Sequence, residues 1–357
     1  MVLGAVVVIA ANNHWFTQDA AAPPETSESV QESFLRGPLE SAEVAGRSTV
    51  ERIVERFAAI DAVVSVLVES GAFIPAFRTV HANVTVRVVG DLNFEIQQTL
   101  SDYSQQGIER AFVNWANSYQ ETDLLDLFCF HRESRQAATP TVDRQGPLAL
   151  WAVDCKKLQR EPIQKSLYEA QLNSASQYFI REYVNCLSHP RDLRRFASDM
   201  LRGQCQARPS GQEVRPGVWL DEGSEIHRRA RVVAPAYVGC GSKIRADALI
   251  TRLSDIERDC CIDCGTVVED TSVLANTTVG IWLDLCHAVV SGNILLNLER
   301  EVLIEISDSR VLRSTNAGRR LAPGIGEQPE PMQTISQLQE ARRMPQAWHL
   351  GGNFIQE

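Results

Sequence analysis

Val238-Gly239-Cys240-Gly241-Ser242-Lys243-Ile244-Arg245-Ala246-Asp247-Ala248-Leu249-Ile250 is the stretch that decides the fold. Val238, Ile244 and Ile250 stand six residues apart, and the interval extends both ways, through Val214, Leu220, Ile226 and Val232 before and Ile256, Ile262, Val268 and Leu274 after. Four residues after each member from Leu220 onward comes a small side chain or a thiol: Ser224, Ala230, Ala236, Ser242, Ala248, Ser254, Cys260, Thr266, Ser272 and Thr278. A period of six puts successive aliphatics on opposite faces of an α-helix, so a helix cannot bury them together. It suits a parallel β-helix of hexapeptide repeats, in which three short strands make one triangular coil, each aliphatic points to the axis, and a small residue fits each corner. Gly241-Ser242-Lys243, which could suggest a phosphate loop, falls in register with this repeat and is read as part of it.

Downstream, the repeat is expected to slip near Gly280, and Ile294 to Ile306 reads as a strand pair covering the open end of the coil. Residues 311–357, rich in Arg, Gly, Pro, Gln and Glu, read as a flexible tail. Upstream, residues 156–210 read as a helical linker ending in a helix opened by Pro190, with Leu193, Phe196, Met200 and Leu201 on one side. Its other side carries Arg191, Arg194, Arg195 and Arg202 and is expected to be a solvated face.

Residues 1–155 alternate strand-like and helix-like runs, the pattern of a Rossmann-like α/β domain with a largely parallel sheet. Ala5 to Ala10, Val63 to Val68, Val84 to Val89 and Ile108 to Val113 read as strands, and Leu148 to Val153 as the closing one. Ser48 and Glu51 form a capping box for a helix with Val50, Ile53, Val54, Phe57 and Ile60 on one face. Ile96 and Leu100 mark a short helix, and another follows Thr122. Residues 12–37 read as a long polar loop. The β-helix is then expected over 211–310.

The chain has 357 residues, 35 basic and 45 acidic, so its formal net charge of −10 argues against a broad cationic face for nucleic acid or anionic lipid. No apolar run has the length of a membrane span. Nine cysteines without a secretory pattern predict reduced thiols and a cytoplasmic protein; the apolar Val2 to Ala11 stretch has no Lys or Arg before Arg36 to make it a signal peptide. Cys260, Cys261 and Cys264 form a C-x-x-C near Cys240, but no second pair or His cluster completes a zinc set, so packed thiols are expected.

The order of parts, with several local stretches, resembles the sugar-1-phosphate nucleotidyltransferases, the NDP-sugar pyrophosphorylases such as mannose-1-phosphate guanylyltransferase. The stretches are Val7-Val8-Ile9-Ala10-Ala11, Pro38-Leu39 with Val44-Ala45-Gly46-Arg47 and Glu51-Arg52, Asp123-Leu124 with Phe130-His131-Arg132-Glu133-Ser134, His189-Pro190-Arg191-Asp192-Leu193, and Pro216-Gly217-Val218-Trp219-Leu220. The likeness spans about residues 1–310 and implies a left-handed β-helix, a pocket for a nucleotide sugar or sugar phosphate near Asn12, Asn13, Arg47 and Asn114, and Mg²⁺ if the protein is active.

The family's chemistry needs a glycine-rich loop after the first strand, because backbone N–H groups close on phosphates only where no side chain intervenes. Asn12-Asn13-His14-Trp15-Phe16 stands there instead. It needs a cation for the departing pyrophosphate, yet all four lysines (Lys156, Lys157, Lys165, Lys243) lie beyond residue 155, leaving Arg36 as the substitute. It needs a metal-binding aspartate at a strand end; Asn114-Trp115-Ala116 lacks the carboxylate, and Asp91 is the alternative. The interval from Gly107 to Asp123 is also too short for the family's sugar-binding loop. The expectation is a catalytically impaired regulatory, sugar-nucleotide-binding or scaffold subunit, working as a homo-oligomer or with an active paralogue. Two alternatives are an active nucleotidyltransferase using Arg36 and Asp91, and a hexapeptide acyltransferase with His227 or His287 as base.

Overall fold

Every residue of Gly4–Ile9 (β1) is buried, as a strand covered on both faces requires. The computed structural model describes residues 2–10, 42–72, 77, 82–159, 163–172, 177–315 and 333–334. Asn12 to Phe16, Arg36, Pro38-Leu39 and the rest of the expected polar loop lie outside the described residues, as does most of the expected tail.

After β1 come the hairpin strands β2 (Glu43–Val44) and β3 (Arg47–Ser48), then β4 (Val63–Glu69), β5 (Val84–Val89), β6 (Arg110–Trp115) and β7 (Ser118–Gln120). They are followed by β8 (Ala138–Val142), β9 (Pro147–Asp154), β10 (Tyr178–Phe179) and β11 (Val184–Cys186). One mixed sheet runs β10-β8-β9-β6-β1-β4-β5, with β6, β1, β4 and β5 parallel. Side chains alternate across it. Val7 and Ile9 belong to one hydrophobic cluster with helices α1 (Thr49–Ala58), α3 (Leu124–Ser134) and α5 (Pro190–Leu201), whereas Val6 and Val8 belong to another with α2 (Leu92–Gln105) and α4 (Ile163–Leu172). Ser48 caps α1, its Oγ accepting the Glu51 N–H at 3.1 Å.

Three expectations change here. The short helix around Ile96 is a full α2, because Asp91 caps it. The strand at Leu148 does not close the sheet: β9 lies between β6 and β8, antiparallel to both, and β10 from the expected linker extends the sheet further. Strand β8 carries Pro140 at a register irregularity and two buried threonines, which hid it in the sequence.

The strand β12 (Gln212–Arg215) pairs antiparallel with β13 and leads into three parallel sheets visited in rotation. Face A holds β13 (Val218–Leu220), β16 (Ala236–Val238), β19 (Asp255–Ile256), β22 (Ser272–Val273) and β25 (Ala288–Ser291). Face B holds β14 (Glu225–Ile226), β17 (Lys243–Ile244), β20 (Cys261–Ile262) and β23 (Thr277–Val279), and face C holds β15 (Arg231–Val232), β18 (Leu249–Thr251), β21 (Val267–Glu269) and β24 (Asp284–Cys286). Leu220 pairs with Val238 and Val238 with Ile256, so each turn of the coil advances 18 residues.

Two members of the expected axial series are not axial. Val214 lies on β12 and is exposed. Leu274 gives way to Val273, the residue that pairs with Ile256, because the corner between β21 and β22 is one residue short. The slip therefore precedes Gly280, and it recurs between β24 and β25, where Val290 pairs with Val273. Leu274 instead packs outside with Val289 and Leu296.

The small corner residues do more than fit. Ser242 Oγ donates to Glu257 O at 2.6 Å and accepts the Cys260 N–H at 2.9 Å, and Thr266 Oγ1 donates to Gly280 O at 2.6 Å and accepts the Leu283 N–H at 3.2 Å. These hydroxyls link successive turns where the strand ladders are interrupted. Beyond β25, β26 (Ile294–Asn297) and β27 (Val302–Glu305) extend face A antiparallel, while β28 (Leu312–Ser314) pairs with β23 and brings Leu312 beneath the axis. In the tail, β29 (Gln333–Thr334) pairs with β5.

Candidate functional site

The middle of face A does not face solvent. Its outward residues Tyr237, Asp255, Glu257 and Ser272 are buried beneath α5 and the β2–β3 hairpin. The hairpin turn, Ala45-Gly46, has φ of +48° and +89°, which turns both backbone N–H groups the same way. The Glu257 carboxylate accepts both, from Ala45 N at 2.6 Å and Gly46 N at 3.0 Å. A Cβ on Gly46 would stand 2.2 Å from the Tyr237 hydroxyl, so glycine is required by conformation and by space. Arg258 Nε reaches Glu43 at 2.8 Å, and buried Arg52 donates to Arg208 O and Val44 O at 2.9 and 2.8 Å. Burial, then the nearby Asp255 and Glu43 charges, push the Glu257 carboxyl well above the usual range.

Arg194 corrects the expected solvated arginine face: it is buried, bound to Asp255 at 3.3 Å and to Asp270. Ser272 Oγ donates to Asp255 at 2.6 Å, yet burial still raises that carboxyl to about 6. Asp270 also meets His287 Nδ1 at 2.6 Å, so His287, Asp270, Arg194, Asp255 and Ser272 form one chain of contacts from the coil surface into the joint. His227 is exposed in the first turn of the coil, with Nδ1 accepting the Arg229 N–H at 3.2 Å, and nothing brings it to His287 among the described residues.

The residues expected to handle a nucleotide sugar are spread out. Asn114 lies on β6 beside β1, with Val7 as its register partner, and lines a small cavity with Arg56, Ser118, Gln120 and Thr122 over Ile53, Phe57, Leu124 and Leu150. The cavity offers about 20 Å³, the space of one water. Among the described residues Gln120 Oε1 and Thr122 Oγ1 are buried without a hydrogen-bond partner, an amide acceptor and a hydroxyl on two of the residues that line the cavity. Arg47 sits on the hairpin and ion-pairs with Glu55. Asp91 lies beyond β5, where its Oδ1 accepts the Phe94 N–H at 3.1 Å. Strands β4 and β1 separate β5 from β6, which puts Asp91 about 14 Å from the Asn114 strand at ~4.8 Å per strand. Asn12, Asn13 and Arg36 lie outside the described residues.

A divalent cation between phosphates requires anionic oxygen ligands. The end of β6 offers the Asn114 amide and then Trp115, which packs edge-on against Trp151 with ring centroids 5.4 Å apart. That donor set does not fit Mg²⁺, and no group of three or more His, Cys, Asp or Glu able to hold a metal occurs among the described residues. Cys260 is buried inside the coil, whereas Cys261 and Cys264 are partly exposed. Among the described residues no helix is long and apolar enough to cross a membrane. The chain matches no protein-family model and no curated protein.

Sequence reasoning missed Glu257, Asp255, Arg194, Gln120 and Thr122. One signal for the first two was present: Asp255 and Glu257 flank axial Ile256, so both must leave the coil on the same side.

Proposed function

We propose that this chain is a nucleotidyltransferase-like protein of sugar-nucleotide metabolism that lacks phosphate-transfer chemistry and acts as a regulatory, sugar-nucleotide-binding or scaffold subunit. In this reading the first part is a Rossmann-like nucleotidyltransferase-type domain, and the three-sided coil is a left-handed β-helix. The observation that carries it is the end of β6: beside β1, where the resembled family holds its metal carboxylate, stand an amide and a packed indole. The lack of any lysine before Lys156 supports it, since no compact cation is at hand for a triphosphate. The partner in this reading is a second copy or an active paralogue, in the cytoplasm. Titration calorimetry with a panel of nucleotide sugars tests it: binding of one of them, with the same affinity with and without Mg²⁺, is expected. Binding that requires Mg²⁺ contradicts the reading, and no binding at all removes the sensing role and leaves the scaffold.

The His287–Asp270 contact favours one second reading, acyl transfer on the coil surface with His287 as base. Asp270 is shared with buried Arg194, which gives it a structural task as well. Acyl transfer from an acyl-CoA that disappears in His287→Ala supports this reading, and absence of transfer ends it.

A further inference from the structure

Strand β27 is the outer member of the face A sheet. Ile306 donates its N–H to Asn293 O at 2.8 Å, so the even-numbered residues of the strand turn their backbone groups toward β26. The N–H and C=O groups of Leu303 and Glu305 therefore point away from the sheet, with no backbone partner among the described residues. The same strand exposes two apolar side chains, Val302 at 46% and Ile304 at 45%. Ile304 lies across from Leu295, and Leu295 and Ile306 pack against the coil core, so the apolar interior of the coil continues onto an edge that nothing in the chain covers among the described residues. Unpaired edge groups and a flanking apolar row together form a template for another strand.

We propose that β27 pairs antiparallel with β27 of a second copy, about a twofold axis through Ile304. The strand and the residues that flank it select this register. Backbone parity allows only pairings that match odd residues with odd and even with even. A dyad at Val302 sets Glu299 against Glu305, one at Leu303 sets Glu301 against Glu305, and one at Glu305 sets that residue against itself. Like charges directly opposite are destabilising. A dyad at Ile304 places Ile304 against Ile304 and Val302 against Ile306, while Leu303 and Glu305 exchange their free backbone groups. It is the register among these that buries the apolar row and sets no two carboxylates directly opposite. The surface is isologous and closes as a dimer, joining two coils end to end in one sheet. This inference refines the partner in the proposed function without depending on the nucleotide-sugar reading.

Sedimentation equilibrium of the full chain tests it. The wild-type protein is expected to be a dimer, and a monomer overturns the proposal. Ile304→Lys and Ile304→Glu, each at an exposed position and checked for native circular dichroism, are expected to be monomeric alone and to dimerise when mixed. Persistence of the dimer in both single variants overturns the proposal. Directly opposed residues of this kind have Cα atoms about 4.5 Å apart, within disulfide reach. Under mild oxidation Ile304→Cys is expected to link two copies through the substituted position, as mapped by peptide mass, and Val302→Cys is not. Equal linkage by both, or linkage by Val302→Cys alone, contradicts the register.

Discussion

Asp255 and His131 pull the pH dependence of stability in opposite directions. Burial raises the Asp255 carboxyl to about 6 against its ordinary 3.8, despite Arg194. Between these values the folded chain holds a proton that the unfolded chain has released, so this contribution is full at low pH and is lost as pH rises through 6. Burial lowers His131, whose Nδ1 meets Thr139 Oγ1 at 2.7 Å, to about 4. Its contribution is present above its ordinary value of 6.5 and is lost as pH falls through 4. Urea unfolding between pH 4 and 6 separates them. Asp255→Asn is expected to make stability rise more steeply with pH than in the wild type, and His131→Gln to make it rise less or fall. Identical slopes in all three proteins would contradict both assignments. Glu257→Ala leaves two buried N–H groups without their acceptor and opens a cavity, a loss expected to be about 2–4 kcal/mol. Gly46→Ala, forced against Tyr237 at positive φ, is expected to cost about 1–3 kcal/mol, also read by urea unfolding.

The corner hydroxyls act at the scale of the coil. Ser254 Oγ donates to Thr251 O at 2.6 Å and accepts the Thr271 N–H at 3.4 Å, tying face A's corner to the turn below. Ser254→Ala keeps the volume small but leaves those groups unpaired, so a loss of about 1–2 kcal/mol in thermal or urea unfolding is expected; an unchanged midpoint would mean that small size alone matters. The period of six was legible because each axial residue meets its equivalents one turn away, which repeats a local pattern. The short corner before Val273 was not, because Val273 and Leu274 are adjacent aliphatics and either continues the series until the pairing with Ile256 is known. Strand β1 was legible as a continuous apolar run and β4 and β5 as valine-rich segments, whereas β8 reads as Thr-Pro-Thr and owes its place to β9 and to hydroxyls that find partners, such as Thr141 Oγ1 on Leu150 O at 2.9 Å. Asn114 was singled out from the sequence. Gln120 and Thr122 were not, since they join it only through the turn from β6 into β7.

At the scale of the molecule, the coil and the α/β part share one buried joint. Asp255, Glu257 and Tyr237 from face A meet Arg194, the Ala45-Gly46 turn and Ser210, so neither part keeps its own surface when the other unfolds. Calorimetry is expected to show a single cooperative transition, with Glu257→Ala splitting or broadening it; two well-separated transitions in the wild type would contradict a structural joint. None of this could be read locally, because the contacts join residues far apart in the chain, 61 positions between Arg194 and Asp255 and 212 between Ala45 and Glu257. The joint also bears on function, since it ties the Val44-Ala45-Gly46-Arg47 segment, one of the family-like stretches, to the coil rather than to the end of β6. Pyrophosphate release by the folded protein, with Mg²⁺ and a panel of nucleoside triphosphates and sugar 1-phosphates, decides whether phosphate transfer survives in this chain. No turnover is expected with any pair, and turnover with even one would show a working site at the end of β6.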